Sequence, residues 1–314
     1  MESIVYLGPE SSGSIVKNIL GAHYRVVLCQ PVPEQFWPHF RECTAFLDAS
    51  MKIPITAEEI GRADRLRLIA TATTGASHID SEALQKRKIP LLTLKGETEL
   101  LRNLTPAAEL SWLLLMACAR HLRAAIRHVE QGEWERTLFP GTMLKGRVLG
   151  VVGCGRLGSW MAKYAQAFGM EIQATDPFVT EFPPGVRRVE LEELLSTSDF
   201  ISVHLHLSPE TQNLLSAEKI RQIKTGAVLI NTSRAELLDE EAVVQALEAG
   251  RLAAVGVDVL LDEPNIVNDP LWQYAQHHEN VIITPHIGGF SPQAVDLVVE
   301  FTARRILSFL GNQP

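Results

Sequence analysis

The sequence predicts an α/β protein built from two doubly wound parallel-sheet domains. Short apolar runs of strand length alternate with helical patterns along almost the whole 314-residue chain. This alternation is typical of parallel βαβ units, in which helices cover both faces of a sheet. The pattern restarts once, at Arg147, and a chain of this length is long enough for two domains. We therefore expect two separate parallel sheets in series.

The first series predicts the smaller domain, with a flavodoxin-like sheet. Helical segments at 14–20, 57–63 and 81–87 separate runs that read as short buried strands. The predicted strands are residues 4–7, 25–28, 44–47, 68–72 and 90–94.

The second series predicts a Rossmann sheet, because six apolar strands separated by helical patterns match that doubly wound architecture. The predicted strands are residues 148–152, 171–175, 200–205, 227–230, 253–257 and 281–283.

Two helices are expected to connect the domains. Residues 105–131 predict one long interdomain helix, with Thr105 as its N-cap and Pro106 in its first turn. Residues 292–310 predict a final helix that returns to the first domain. We thus expect a discontinuous first domain, residues 1–104 plus 288–314, and a second domain at 105–287 that includes the interdomain helix. Two domains joined in this way are expected to bind a ligand between them.

Composition narrows the class of protein. The 29 basic and 37 acidic residues give a net charge of −8, which argues against a nucleic-acid partner. The most apolar stretch, 110–119, is about half the length of a bilayer span. The N-terminus lacks the basic start and apolar run of a signal peptide. Four widely spaced cysteines indicate reduced thiols rather than disulfides or a metal site. We expect a cytoplasmic protein with no metal and no membrane partner.

A glycine motif follows the first strand of the second series. Gly153, Gly155 and Gly158, with Arg156 and Leu157 between the last two, lie between strand 148–152 and a helix at 159–168. Glycines at these positions permit a tight turn, a close approach of the backbone to a pyrophosphate, and close packing of helix on strand. The N-terminus of the helix adds free N–H groups and a positive dipole end. This context predicts a dinucleotide site.

An acidic residue at the end of the next strand predicts which dinucleotide is bound. Asp176 comes 176 − 158 = 18 residues after the last glycine, where a carboxylate accepts hydrogen bonds from the adenine ribose hydroxyls. Such a carboxylate repels a 2′-phosphate, so the sequence favours NAD over NADP.

Polar residues follow three predicted strands of the second series. They are Asn-Thr-Ser-Arg at 231–234, Asp-Val-Leu-Leu-Asp-Glu-Pro at 258–264 and Thr-Pro-His-Ile-Gly-Gly at 284–289. The carboxyl ends of parallel strands meet at one edge of a sheet, where open α/β sheets bind ligands. We therefore expect these three runs to lie close together.

The glycine motif and these three runs occur in the order and at the spacing of the D-isomer-specific 2-hydroxyacid dehydrogenases, which the chain resembles over nearly its whole length. The run Thr-Thr-Gly-Ala-Ser-His-Ile-Asp at 73–80 resembles the substrate loop of that family. The resemblance implies an NAD-dependent oxidoreductase that interconverts a 2-oxo acid and a D-2-hydroxy acid.

The residues suit that chemistry, which needs a hydride donor, a proton donor and a cation for the substrate carboxylate. His286 is the expected acid/base, because the pKa of histidine lies near the working pH. Glu263 can hydrogen-bond the far nitrogen of that ring, fix its tautomer and favour the imidazolium. Arg234 offers a planar fork to the carboxylate and polarises the carbonyl group.

The resemblance also implies further contacts. On the cofactor side these involve His204, Thr232, Ser233, Asp258 and Gly288, and on the substrate side Thr74, Gly75, Ala76 and His78. Two of these assignments have alternatives from local structure: Asp258 is also suited to a helix N-cap, and His78 to a plain turn. His204 and His206 share one face of a strand and are interpreted as cofactor-side or packing residues rather than as a metal pair.

Substrate identity is left open by a departure from the family pattern at 94–103, where the usual Asn-x-Pro-Gly-type loop is replaced. Lys95 and Arg102 bind a second anionic group or are exposed loop charges. The candidate reactions are those of a glyoxylate or hydroxypyruvate reductase, a phosphoglycerate dehydrogenase-like enzyme or a phosphite dehydrogenase-like enzyme. The alternative of a different class is an NAD(H)-sensing binding protein with little turnover. The apolar segment 110–119, with Trp112, predicts a homodimer, since family members pair through this region.

Overall fold

The chain forms two compact units. The structure, a computed structural model, describes residues 2–102 and 104–311. One unit comprises Met1–Leu104 and Phe290–Pro314, and the other comprises Thr105–Gly289. The predicted domain ends at residues 1 and 314, and Asn103 of the predicted substrate-side loop, lie outside the described residues.

The first unit contains a parallel sheet of five strands in the order β2-β1-β3-β4-β5, which is the flavodoxin-like order. Its strands are β1 Ser3–Leu7, β2 Arg25–Cys29, β3 Ala45–Asp48, β4 Leu68–Thr71 and β5 Leu91–Leu92. Its helices are α1 Gly13–Leu20, α2 Pro33–Glu42, α3 Ala57–Arg62, α4 Ser81–Lys86 and α5 Thr98–Arg102.

The second unit contains a parallel sheet of seven strands in the order β12-β11-β10-β9-β6-β7-β8. The order reverses between β6 and β9, as in a Rossmann sheet. Its strands are β6 Val148–Val152, β7 Glu171–Thr175, β8 Val186–Arg188, β9 Phe200–Val203, β10 Ala227–Asn231, β11 Leu252–Val257 and β12 Val281–Ile283. Its helices are α6 Pro106–Ala119, α7 Leu122–Glu130, α8 Arg156–Ala167, α9 Leu191–Thr197, α10 Ala217–Ile220, α11 Glu240–Glu248 and α12 Pro270–Ala275. The last helix of the chain, α13 Pro292–Gly311, belongs to the first unit.

Each sheet is covered on both faces, so its strands are apolar in almost every position. In β1, Val5 and Leu7 pack into one cluster and Ile4 and Tyr6 into the other, because successive side chains of a strand point to opposite faces. Helix α13 buries Val299 and neighbouring apolar side chains in the second of these clusters. The predicted fold class is confirmed.

The prediction of one helix over residues 105–131 is wrong, because the chain forms α6 and α7 with a break between them. The backbone N–H of Thr142 donates to the carbonyl of Ala119 at 2.7 Å, and an unbroken helix would give that carbonyl to Arg123. His121 adopts a left-handed conformation with φ 49°, and Arg123 donates to the carbonyls of Ala275 and Val281. These contacts come from distant parts of the chain, which no local periodicity reveals. The predicted side-chain cap at Thr105 is also absent, since its hydroxyl donates to Glu109.

Two further elements of the structure, strand β8 and helix α2, are absent from the sequence prediction. Strand β8 pairs with β7 at the sheet edge, although its sequence Val-Arg-Arg carries no apolar run. Helix α2, which the helical segments of the first series do not include, contains Pro38, a residue that usually breaks a helix. No helix in the described ranges is long and apolar enough to cross a membrane.

The aromatic core of the first unit provides a stability test. Phe46 is fully buried, and its ring centroid lies 5.2 Å from that of Phe36 and 5.5 Å from that of Phe40. We expect Phe46→Ala to lower the free energy of unfolding of the first unit by about 3–5 kcal/mol, through lost burial and the cavity left behind. Urea denaturation measures this loss. The control Phe178→Ala removes a side chain that is 81% exposed, and a similar loss in both variants would contradict the packing described.

Candidate active site

The glycine loop connects β6 to α8 at the point where the strand order of the second sheet reverses. Gly153 has φ +93°, a left-handed conformation that side chains with a Cβ rarely adopt. A Cβ on Gly158 would lie 2.1 Å from the carbonyl oxygen of Gly153, so only glycine allows helix and loop to pack this closely. A Cβ on Gly155 would meet no atom within 4 Å. The loop is therefore tight at both ends and open in the middle, as a pyrophosphate requires.

Asp176 follows β7 and is 7% exposed. Its carboxylate accepts hydrogen bonds from the backbone N–H groups of Cys154 at 2.9 Å, Phe178 at 2.9 Å and Val179 at 3.1 Å. The side chain thus ties the glycine loop to the turn after β7. A carboxylate has about four acceptor positions, so about one remains for a ribose hydroxyl. The residues of this loop and turn suit an NAD molecule.

His204 follows β9 and borders the glycine loop, since a Cβ on Gly153 would lie 2.5 Å from its carbonyl oxygen. Its Nε2 lies 2.7 Å from the hydroxyl of Ser202. Burial lowers the pKa of His204 to about 3, so the ring is neutral at working pH. Its Nδ1 is buried and has no partner within the described part of the chain.

Arg234 follows β10 in a turn held by its neighbours. Asn231 accepts from the backbone N–H of Ser233 at 3.0 Å and donates to the carbonyl of Arg234 at 2.8 Å. Ser233 donates to the carbonyl of Val203 at 2.7 Å, and Thr232 lies 2.6 Å from the hydroxyl of Ser111 on α6. The turn is therefore linked both to the neighbouring strand and to α6.

Asp258 follows β11 and is 1% exposed. Its carboxylate accepts from the hydroxyl of Thr284 at 2.5 Å and from the backbone N–H groups of Ile287 at 2.9 Å and Gly288 at 2.7 Å. These three contacts lie on both sides of His286. Asp258 therefore holds the loop that carries His286; it does not cap a helix, since the chain continues from it into a loop.

His286 contacts Glu263 directly: the distance from Nδ1 to Oε1 is 2.8 Å. The backbone at His286 is left-handed, with φ 52°, a conformation that costs free energy in a residue with a side chain and is frequent at functional sites. The hydrogen bond to Glu263, together with the charges of Glu263 and Asp258, raises the pKa of His286, against the opposing effects of burial and of the Arg234 charge. The charges of Arg234, Glu263 and Asp258 therefore all act on the His286 ring. Because Nδ1 is bonded to Glu263, Nε2 is the ring nitrogen that remains for proton exchange.

The predicted substrate loop follows β4 in the first unit. Thr73 lies 2.5 Å from the hydroxyl of Thr71 and donates to the carbonyl of Gly75 at 2.6 Å. The Nε2 atom of His78 lies 2.6 Å from Asp48, and these side chains are 9% and 2% exposed. The ring of His78 is thus packed inside the unit, while Thr74, Gly75 and Ala76 are partly exposed.

Asp48 was missed as a candidate. It is the last residue of the buried strand β3, and a polar residue at a strand end is the signal that identified Asp176 and Asp258. The same criterion applied to the first series would have found it.

The segment that departs from the family pattern contains α5. Glu97 lies 3.1 Å from Arg305 of α13, while Lys95 and Arg102 are exposed. Within residues 2–102 and 104–311, no group of three or more His, Cys, Asp or Glu side chains is arranged to hold a metal ion.

Comparisons with known proteins identify the family. The model of the D-isomer specific 2-hydroxyacid dehydrogenase NAD binding domain matches residues 112–288. A hydroxypyruvate reductase of Thermotoga maritima is 35% identical over 257 residues, which cover 82% of each chain. The chain belongs to the D-isomer-specific 2-hydroxyacid dehydrogenases. It is an NAD-dependent oxidoreductase with a Rossmann-type domain.

Other relatives agree with this assignment. A glyoxylate reductase of Korarchaeum cryptofilum is 36% identical over 276 residues, which cover 86% of this chain and 80% of the relative. The solved structure of the TT0316 protein from Thermus thermophilus has a TM-score of 0.85 at 31% identity, with 99% of this chain and 97% of that chain covered. The predictions of family, fold class, reaction type and cofactor are confirmed. The named relatives of this dehydrogenase are enzymes, and they do not support the alternative of an NAD(H)-sensing binding protein.

The contact between Glu263 and His286 gives a direct test of the electrostatics in this dehydrogenase. We expect Glu263→Gln to lower the pKa of His286 towards its ordinary value, because the amide keeps the shape of the carboxylate and loses its charge. Titration of the His286 ring by NMR measures this pKa, and the signal is assigned by its loss in His286→Ala. Glu248→Gln, at an exposed position of the same unit, is the matched control. An unchanged pKa in Glu263→Gln would rule out Glu263 as its cause.

Proposed function

We propose that His286 is the acid/base of this dehydrogenase and that Glu263 keeps it protonated for reduction of a 2-oxo acid. The observation that carries the proposal is the 2.8 Å contact from Glu263 Oε1 to Nδ1 of His286. With Nδ1 committed to the carboxylate, Nε2 donates its proton to the substrate carbonyl oxygen. When bound, NADH supplies the hydride that enters the carbonyl carbon. In the reverse direction Nε2 of His286 accepts the hydroxyl proton.

Arg234 binds the substrate carboxylate in this proposal. One of its N–H groups donates to the carbonyl of Ser233 at 2.7 Å, and a guanidinium has five N–H donors in a planar fork. The remaining donors are available for a bidentate contact with the carboxylate and for polarising the carbonyl oxygen.

We assign the cofactor contacts to the second unit, residues 105–289. The backbone of Gly153, Gly155, Arg156, Leu157 and Gly158 binds the pyrophosphate, and the remaining acceptor position of Asp176 binds the ribose. The nicotinamide end is bordered by His204, Thr232, Ser233, Asp258 and Gly288. The open position at Gly155 and the strand reversal beside it support this arrangement.

We assign substrate contacts also to the first unit, residues 1–104 plus 290–314. The partly exposed Thr74, Gly75 and Ala76 offer backbone N–H groups and a hydroxyl, and Thr73 fixes their turn through the carbonyl of Gly75. His78 supports the loop through its buried contact with Asp48.

The proposed substrate is a small 2-oxo acid of the glyoxylate or hydroxypyruvate type. Support comes from the relatives named glyoxylate reductase and hydroxypyruvate reductase, at 36% and 35% identity. Oxidation of NADH by the purified protein across glyoxylate, hydroxypyruvate, pyruvate, phosphohydroxypyruvate and bulkier 2-oxo acids tests this choice. Preferential turnover of glyoxylate or hydroxypyruvate is expected. Preference for phosphohydroxypyruvate would instead assign an anion-binding role to Lys95 and Arg102.

Removal of the proposed acid/base separates catalysis from cofactor binding. We expect His286→Ala to reduce kcat for reduction by about a hundredfold or more, since general acid catalysis contributes about 10²–10⁴-fold. The affinity for NADH, measured by fluorescence titration, should stay close to that of the wild type. His277→Ala at an exposed loop position is the matched control and should retain full kcat. Full activity in His286→Ala would disprove the assignment.

We also propose a homodimer. The apolar segment 110–119, from which the sequence predicts pairing, does not provide the interface. Most apolar side chains of α6 are buried within the second unit, Trp112 among them at 8% exposure. Helix α7 instead exposes Leu122, Ile126 and Val129, which lie four and three residues apart and so share one face. Exposed apolar residues on one helix face mark protein interfaces.

Introducing charged residues on the exposed apolar face of α7 tests whether this face forms the dimer interface. We expect the wild type to sediment as a dimer at micromolar concentration, and Ile126→Glu with Val129→Glu to sediment as a monomer, because two buried carboxylates would oppose association. Glu130→Gln on the same helix is the control. A monomeric wild type would contradict the proposal.

We also propose a cytoplasmic location. The four cysteines are all buried as free thiols, as is common in proteins of a reducing compartment.

A further inference from the structure

Glu240 and Asp269 form a buried pair of carboxyl groups outside the residues discussed so far. They are 2% and 0% exposed, and Asp269 lies close enough to Glu240 to raise its pKa. Glu240 Oε2 and Asp269 Oδ2 are both buried, and neither has a hydrogen-bond partner among the described residues. Two ionised carboxylates offer acceptors only, so burying both of them side by side favours one proton shared by these two oxygens.

The surroundings of Glu240 favour the protonated form of its carboxyl group. Burial, the neighbouring carboxyl group of Asp269 and the charges of Asp269 and Asp262 raise the pKa of Glu240 from 4.5 to about 8, against the opposing effect of the Leu261 N–H. Asp269 caps α12 by accepting from the backbone N–H of Trp272 at 3.0 Å.

The elements that pack against α11 carry other ionisable groups. Helix α11 packs against α10, α12 and β11. Of these, α10 carries Glu218 and Lys219, α12 carries Tyr274, and β11 carries no ionisable residue. Asp239, the residue before Glu240, caps α11 by accepting from Ala242.

The pair is connected to the candidate active site through the loop after β11. The second oxygen of Glu240, Oε1, accepts from the backbone N–H of Leu261 at 3.3 Å. Leu261 lies two residues before Glu263, in a segment whose other end leads to α12. One carboxyl pair therefore links the start of α11, the start of α12 and the loop that carries Glu263.

We propose that Glu240 is a positioning residue, whose protonated carboxyl group, bonded to Asp269 and to the N–H of Leu261, fixes the loop that places Glu263 against His286. The inference rests on the proposed function only in the role of Glu263. Glu240 itself contacts neither substrate nor cofactor. Loss of its contacts frees the loop and lengthens the bond from Glu263 to Nδ1 of His286.

The first test concerns the proton. Because the pKa of Glu240 is raised on folding, the folded protein holds a proton that the unfolded chain releases above about pH 4.5. The stability from the pair is thus complete below that pH and is lost as the pH rises towards about 8. The side chain of Glu240→Gln cannot ionise, so this variant does not lose that stability. The ratio of its folding equilibrium constant to that of the wild type should therefore rise about tenfold per pH unit between about pH 5 and 8. Urea denaturation measures this ratio.

The control is Glu241→Gln, which alters the next residue of α11 at an exposed position and should show the pH dependence of the wild type. An equal pH dependence in wild type and Glu240→Gln would overturn the shared proton.

The second test concerns the positioning of Glu263. Glu240→Gln retains groups that bond Asp269 and Leu261, so it should keep the raised pKa of His286. Glu240→Ala loses both contacts and should lower that pKa towards its ordinary value, as measured by NMR titration. If Glu240→Ala does not fold, Asp269→Asn with Glu240→Leu provides a neutral, apolar replacement with the same expectation. A raised His286 pKa in the variant lacking the contacts would overturn the proposal. Neither test requires turnover, so their failure is distinguishable from failure of the proposed reaction.

Discussion

The hydrogen bond between Glu263 and His286 is the contact on which the proposed chemistry depends. At 2.8 Å it fixes the tautomer and raises the pKa of a histidine that is 42% exposed on its side chain. An exposed pair of this kind gains little from its own charges, so its geometry must come from the surrounding chain. Asp258 supplies that support for the histidine loop, and Glu240 with Asp269 supplies it for the glutamate loop. Buried carboxyl groups thus hold the loops of both His286 and Glu263, although the contact between these two side chains is itself open to solvent.

Much of the fold followed from the sequence, because its signals are local. The continuous apolar runs of strands buried on both faces and the glycine motif between β6 and α8 require only neighbouring residues to be recognised. The break between α6 and α7 arises from Thr142 and from carbonyl groups of Ala275 and Val281, which lie far along the chain. Strand β8 forms because β7 offers an edge, not because Val-Arg-Arg favours extension. Tertiary contacts therefore account for the elements that were missed.

In the candidate site, too, local signals could be recognised in the sequence and long-range contacts could not. Arg234, Glu263 and His286 were found because polar residues at strand ends need an explanation, and the structure brings them together. The buried partners Asp48 and Glu240 could not be paired from spacing, since His78 is 30 residues from Asp48, and Asp269 lies 29 residues from Glu240. The left-handed backbone at His286 is also invisible in the sequence, because it occurs in a loop held by bonds to Asp258, which lies 28 residues earlier in the chain.

The most direct test of this account is the pH dependence of kcat/KM in both directions of the reaction, measured on one preparation. Reduction requires protonated His286 and oxidation requires the neutral ring. We predict that reduction slows as the pH rises, and oxidation as it falls, through one common pKa that lies above the ordinary value for histidine and equals the pKa of His286 measured by NMR. If the two profiles show no common pKa, or one unrelated to His286, then a group other than the Glu263–His286 pair transfers the proton.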